Sequence, residues 1–177
     1  MKPILATGSI RLVPVSRDDL DAICTLLHRP QVREFLCDDR LLPRETVAGL
    51  VERSVELDAA GLGLWMIHSD EGAGCGLCGL QPMSEEAARA APIEPGIEPT
   101  IALEPAHWGR GIATGALQLL ARHAVDRCGI ARLVAVVDAP NERSQRLIRG
   151  CRFREVGRGP GPRHTLVYFE RSLIGHE

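Results

Sequence analysis

The stretch from residue 98 to residue 137 constrains this chain most. Glu98 to Leu103 reads as a strand, and Gly109 to Arg127 is the longest helical pattern in the sequence. Ile112, Ala116, Leu119, Leu120 and Ala124 line one side of that helix, with Gly129 just beyond its end. Arg132 to Val137 is then apolar at consecutive positions rather than alternate ones, as a strand buried on both faces requires. Strand, helix and buried strand in this order make one parallel βαβ crossover.

The flanking segments surround that unit with antiparallel pieces. Ile10 to Val15 reads as a first strand. Ser16-Arg17-Asp18-Asp19 resembles a capping box, with Leu20, Ile23, Cys24 and Leu27 at helical spacing behind it and His28-Arg29-Pro30 as its stop. A second amphipathic helix is expected from about Pro43 to Ala60, closed by Gly61. Leu62 to His68 and Gly76 to Gln81 form a predicted hairpin around Ser69-Asp70-Glu71-Gly72. Ser84 to Gly96 reads mostly as loop with one helical turn, and Pro99 marks a disturbance near the start of the strand it opens. Asn141 to Gly150 is a short helix, and strands follow near Phe153 to Val156 and Thr165 to Glu170, joined by the turn-rich Gly157 to Arg163. The order is β-α-α-β-β-β-α-β-α-β-β. It predicts an α/β (α+β) fold with a mixed, mostly antiparallel sheet, in one domain over residues 1–177.

Bulk properties exclude several functions. A net charge of −2 with scattered basic residues supplies no electrostatic reason to bind nucleic acid. No apolar run approaches the ~20 residues that span a bilayer, and the start lacks a signal-peptide core, so a cytoplasmic protein that avoids membranes is expected. Cys75-Gly76-Leu77-Cys78 is a CxxC without a second Cys or His pair at zinc spacing, so no metal is expected. Lys2 is the only lysine and is expected at a mobile terminus, which removes Schiff-base catalysis and a P-loop lysine from consideration.

The chemistry concentrates in Gly109-Arg110-Gly111-Ile112-Ala113-Thr114. Paired glycines let backbone approach a ligand, and the opening turn of a helix offers N–H groups with no internal partner. With the helix dipole, these favour an anion such as a pyrophosphate, and Arg110 adds a cation. A dinucleotide fingerprint fits poorly, since Thr114 takes the third small position and Glu104 to Trp108 separates strand from glycines.

Glu98 to Thr114, with its Pro105-Ala106-His107-Trp108-Gly109-Arg110-Gly111-Ile112-Ala113-Thr114 core, resembles the GNAT superfamily of N-acetyltransferases. It is most similar to the branch that modifies ribosomal-protein N-termini (RimJ/RimL-like). Asn141-x-x-Ser144-x-x-Leu147, with Phe153 beyond it, is similar to the family's second coenzyme segment. Ile10-Arg11-Leu12 and Leu64-Trp65-Met66-Ile67 match as well, so the resemblance spans the chain in order. Three positions depart from the pattern: Gly115 where Glu is common, Arg152 before Phe153 where Gly is usual, and Ile148 where many relatives carry a tyrosine.

The resemblance implies an acetyl-CoA-dependent N-acetyltransferase acting on a primary amine, a peptide N-terminus or a small molecule, by direct attack in a ternary complex. Acetyl-CoA would lie between strands 98–103 and 132–137, with its pyrophosphate on Gly109 to Thr114. Asn141 would bond the pantetheine or cap the helix it opens, and a backbone N–H near Ala102 or Leu103 would polarise the acetyl carbonyl. Glu98 is the candidate general base, through a water, with Glu104 second. Ser144 is the candidate thiolate acid, with Tyr168 as alternative. Trp108 is expected to plug the loop structurally, and the loops 29–42, 82–97 and 157–164 are expected to border the acceptor site. A monomer or homodimer fits equally, and the missing tyrosine leaves a non-catalytic acyl-CoA-binding module or sensor as the other reading.

Overall fold

The expected βαβ unit lies inside a single eight-stranded sheet. The computed structural model describes residues 2–70, 72 and 74–174, apart from the side chains of Glu86 and Ala90. Its elements are β1 (Leu5–Thr7), β2 (Ile10–Pro14), α1 (Leu20–Leu27), α2 (Pro30–Leu36), α3 (Arg44–Glu56), β3 (Gly63–Ser69), β4 (Gly74–Pro82) and α4 (Glu85–Ala90). They continue with β5 (Ile97–Leu103), α5 (Ile112–Cys128), β6 (Arg132–Asp138), α6 (Glu142–Gly150), β7 (Arg154–Pro160) and β8 (Thr165–Ser172). The strand order is β1-β2-β3-β4-β5-β6-β8-β7. Only β5 and β6 pair in parallel.

Two cores form because the central strands are apolar on both faces. Trp65 and Ile67 of β3 pack with Ala116, Leu117 and Leu120 of α5 on one side of the sheet. Leu64 and Met66, the alternate residues, pack with Ile23 and Leu27 of α1 and Val47 and Val51 of α3 on the other. Trp108 touches both cores from the loop after β5. Its indole N–H donates to Leu103 O at 2.9 Å, so it pins that loop to the end of β5.

The structure differs from the sequence expectations in four places. Residues 29–42 are not all loop. Pro30 sits in the first turn of α2, where its missing N–H costs nothing, so a residue that ended one helix starts another. Residues 84–96 hold α4, capped by Ser84 Oγ accepting the Ala87 N–H at 3.1 Å. β7 runs on to Pro160 through Gly157 and Gly159. It is an edge strand with a register shift between Glu155 and Gly157, and an edge tolerates glycine and proline that a central strand would not. The hairpin turn shows Gly72 N–H donating to Ser69 O at 3.0 Å, while Glu71 of that expected turn lies outside the described residues.

The fourth difference is at the N-terminus, where β1 pairs with β2. Lys2 is not mobile but only 4% exposed. Its ammonium donates to Ser54 O and Ser54 Oγ, each at 3.0 Å, and lies 3.7 Å from Asp58. Pro3 O accepts the Trp65 indole N–H at 3.0 Å. Gly63, at φ 111°, allows this approach, since a Cβ there would stand 2.7 Å from Lys2 Nζ. Burial lowers the Lys2 pKa more than Asp58 restores it. Substituting Lys2→Ala should cost about 2 kcal/mol by leaving Ser54 O without its buried donor. A drop in the urea midpoint checks this; an unchanged midpoint would show that the clip is dispensable.

Candidate active site

A break in the sheet creates the site. The first parallel contact between β5 and β6 is Ile97 opposite Leu133, and no further rung follows. The reason is readable in backbone parity. Glu104 N–H donates to Cys75 O at 2.9 Å, so even-numbered residues of β5 turn their backbone groups to β4 and odd-numbered ones to β6. The next donor facing β6 would be residue 99, and Pro99 has none. The strands diverge there, and Glu98 occupies the gap. Its Oε1 accepts the Val136 N–H at 3.0 Å, in place of the missing ladder bond.

Beyond this point the splay widens into a cleft of about 990 Å³. One wall is β5, where Ile101 and Leu103 present backbone to the gap while Ala102 is committed to β4. Of the two N–H groups considered near the end of this strand, that leaves Leu103. The opposite wall is Val136 to Asp138 with the start of α6. The far end is the glycine loop. Gly109 and Gly111 have φ of 76° and 77°, with open space where a Cβ would go, so the requirement there is conformational rather than steric. The first bond of α5 runs from Gly115 N–H to Gly111 O at 3.0 Å. The N–H groups of Ile112, Ala113 and Thr114 therefore lie outside the helix ladder and border the cleft.

Glu98, Leu103, Gly109, Gly111, Ile112, Ala113, Thr114, Asn141 and Ser144 all line this one cleft. Arg110, on the same loop, is exposed and does not. Asn141 is the N-cap of α6, its Oδ1 accepting the Ser144 N–H at 3.1 Å. Ser144 and Leu147 face the cleft, whereas Ile148, in the position of the relatives' tyrosine, is 6% exposed in the α5-side core. Glu104 is drawn away into an ion pair with Arg29 at 3.0 Å. Tyr168 is fully buried, and its hydroxyl finds no hydrogen-bond partner among the described residues.

Burial, opposed only by the Val136 N–H, pushes the Glu98 carboxyl up to about 7. A carboxyl of that pKa exchanges a proton at neutral pH, as general base work needs.

The 29–42 segment borders the cleft as expected, but as a helix: α2 supplies Gln31, Glu34 and Phe35 to the wall, and a seven-residue helix carries too little periodicity to detect. Sequence reasoning missed two further contributors. Arg143 stacks its guanidinium 3.7 Å over the Trp108 ring and so joins α6 to the glycine loop. Asp138 ends β6 at the cleft, its pKa raised mainly by burial. By contrast, Cys75 and Cys78 are both fully buried and outside any disulfide, and burial drives the Cys78 pKa well up. Among the described residues no three His, Cys, Asp or Glu gather as a metal site, and no helix is long and apolar enough to cross a membrane.

Comparison with known proteins identifies the family and the fold. Residues 9–154 match the model of the acetyltransferase (GNAT) domain. An uncharacterised N-acetyltransferase, p20, from Bacillus licheniformis is 26% identical over 157 residues, covering 86% of this chain and 83% of that protein. A GnaT-family acetyltransferase from Bordetella pertussis superposes with a TM-score of 0.80 at 24% identity, covering 97% of this chain and all of the other. The ribosomal-protein alpha-N-acetyltransferase RimL, in complex with coenzyme A, superposes with a TM-score of 0.77 at 17% identity, covering 96% and 98% of the two chains. The chain belongs to the GNAT acetyltransferase family. It is therefore an acyltransferase with acetyl-CoA as cosubstrate.

The raised Glu98 pKa carries a stability signature. The folded state penalises the charged form, so the contribution is complete below the ordinary value of 4.5 and is lost as pH rises through about 7. The loss is at most about 3 kcal/mol, or roughly 5–10 °C in the midpoint. Glu98→Gln keeps an acceptor for Val136 and should flatten the decline in melting temperature between pH 5 and 8. A parallel decline in both proteins would assign the pH dependence elsewhere.

Proposed function

We propose that the protein transfers the acetyl group of acetyl-CoA to a primary amine, by direct attack within the cleft between β5 and β6. The observation that carries this reading is the continuity of that cleft. It runs from unbonded N–H groups at the start of α5, which suit a pyrophosphate, to a neutral-range carboxyl at Glu98. The pantetheine would lie along β5, taking the rungs that β6 leaves unmade. Leu103 N–H points into the gap and would polarise the acetyl carbonyl. Glu98 would accept the proton of the attacking amine, directly or through one water. Ser144, half-buried on the α6 wall, would hydrogen-bond the sulfur and protonate the departing thiolate.

Asn141 would contribute to coenzyme binding by holding the α6 start in place, since its Oδ1 is spent on the cap. Arg110 would act on the coenzyme's phosphates from the rim rather than from the wall. RimL is an alpha-N-protein acetyltransferase by name, and the likeness in fold makes a free peptide N-terminus the first acceptor to try.

Two measurements test the reading. Acetyl-CoA at about 100 times its dissociation constant should raise the melting temperature by roughly 5–10 °C, and NAD or ATP should not. Gly111→Val, which forces a branched residue to φ 77°, should lower acetyl-CoA affinity at least about tenfold in calorimetry while leaving the protein folded. Unchanged affinity would remove the pyrophosphate assignment.

The second measurement is release of free thiol from acetyl-CoA with a free-N-terminus peptide, spermidine or an aminoglycoside as acceptor. Turnover with any of them supports the enzyme, and binding without turnover supports a sensor. Given turnover, Ser144→Ala should lower kcat about 10- to 100-fold with little change in KM for the amine. A fall confined to KM would make Ser144 a binding group.

A further inference from the structure

The second oxygen of Glu98 has a buried candidate partner that the acetyl-transfer reading does not use. Tyr168 is the only tyrosine in the chain, is 0% exposed, and has a hydroxyl without a hydrogen-bond partner among the described residues. A buried hydroxyl left unpaired costs about 1–3 kcal/mol, so a fold keeps one where something else returns the cost.

Its place in the sheet says what that is. Val167 and Phe169 belong to the α5-side core, so Tyr168 between them projects to the opposite face. In the ladder Tyr168 lies directly opposite Val136, the residue whose N–H holds Glu98 Oε1. Its other neighbour is Gly157 of β7, which brings no side chain. Pro92 lies over Gly157 so closely that a Cβ there would come within 2.8 Å of it, and a proline ring offers no polar partner either. Burial raises the Tyr168 pKa, and the charge of Glu98 raises it further. Glu98 Oε2, meanwhile, makes no hydrogen bond among the described residues, since Val136 takes only Oε1.

We propose that Tyr168 is the positioning partner of Glu98, its O–H closing on Oε2 as a hydrogen-bond donor when Glu98 ionises. No covalent bond changes in this step: the phenol keeps its proton and the carboxylate gains a second donor. In the structure Glu98 accepts from Val136 alone among the described residues, and the tyrosine hydroxyl stands unpaired. The pairing thus favours the ionised base over the resting acid and offsets part of the burial penalty. The other titratable and charged groups bordering the cleft are Glu34 of α2, His107 of the loop after β5, Asp138 of β6, and Glu142, Arg143 and Arg146 of α6. None of them contributes to the Glu98 shift, which arises from burial and the Val136 N–H. This inference rests on Glu98 acting as the base, but its test does not require turnover.

The experiment titrates Glu98 by NMR in protein labelled with 13C at the glutamate carboxyls, its signal identified by loss in Glu98→Gln. Tyr168→Phe should raise the Glu98 pKa by about one pH unit, the effect of one hydrogen bond to a charged acceptor. An unchanged titration would overturn the pairing. The same variant should melt within about 2 °C of the parent at pH 5.5, where the hydroxyl is unpaired. A large fall there would mean that the hydroxyl already has a structural partner, which also overturns the proposal. In turnover with whichever of the three amines reacts, the acid limb of kcat/KM should move up by the same unit and KM for acetyl-CoA should not change. If the parent acetylates none of them, the transferase reading fails while the titration still decides this pairing.

Discussion

The single hydrogen bond from Val136 N–H to Glu98 Oε1 marks where this protein stops being a continuous sheet and becomes a container. A parallel pair that kept its ladder would leave no backbone for a ligand. Here the ladder fails after one rung because Pro99 has no proton to give, and the carboxylate satisfies the orphaned donor on β6. The cleft, the exposed backbone of β5 and the raised pKa of Glu98 are three consequences of that substitution of side chain for main chain. Opening the sheet would otherwise strand a buried N–H, and burying the carboxylate would otherwise be gratuitous. Each offsets part of the other's cost.

The two ends of the cleft are built on different physics. The glycine loop works through main chain. Two residues in the left-handed region turn the chain so that the first N–H groups of a seventeen-residue helix face a common point with the positive end of its dipole. Side-chain chemistry is nearly absent there, and Arg110 stands aside. The Glu98 end works through desolvation of a single carboxyl, opposed only by the Val136 N–H. Between them, Trp108 and Arg143 tie the end of β5, the glycine loop and α6 together by one hydrogen bond and one stacked guanidinium.

Several of these features were legible from residue types. Gly109, Gly111 and Gly129 marked the ends of α5 because only glycine adopts those backbone angles cheaply. Asn141, for which a cap was the alternative to a pantetheine contact, does cap α6, and Pro99 read as a disturbance and proves to be the point of divergence. The misses share a cause. α2, β1 and the extension of β7 are short or unpatterned, and their stability comes from what they pack or pair against rather than from local preference. Lys2 was misjudged for the same reason, since nothing near it in sequence announces Ser54, Asp58 and Trp65.

The sequence by itself determined the central βαβ unit and its antiparallel flanks, the glycine-bounded ends of α5, and most of the residues that meet in one cleft, because turns, caps and buried runs are local properties of the chain. Only the tertiary structure decided what those residues do there. It placed Glu98 against Val136, turned Leu103 rather than Ala102 into the gap, sent Ile148 into the core and Glu104 to Arg29, and set Tyr168 opposite Val136 with its hydroxyl unpaired among the described residues. Those outcomes depend on strand register and on which groups lose water, and both exist only once segments distant in sequence have packed together.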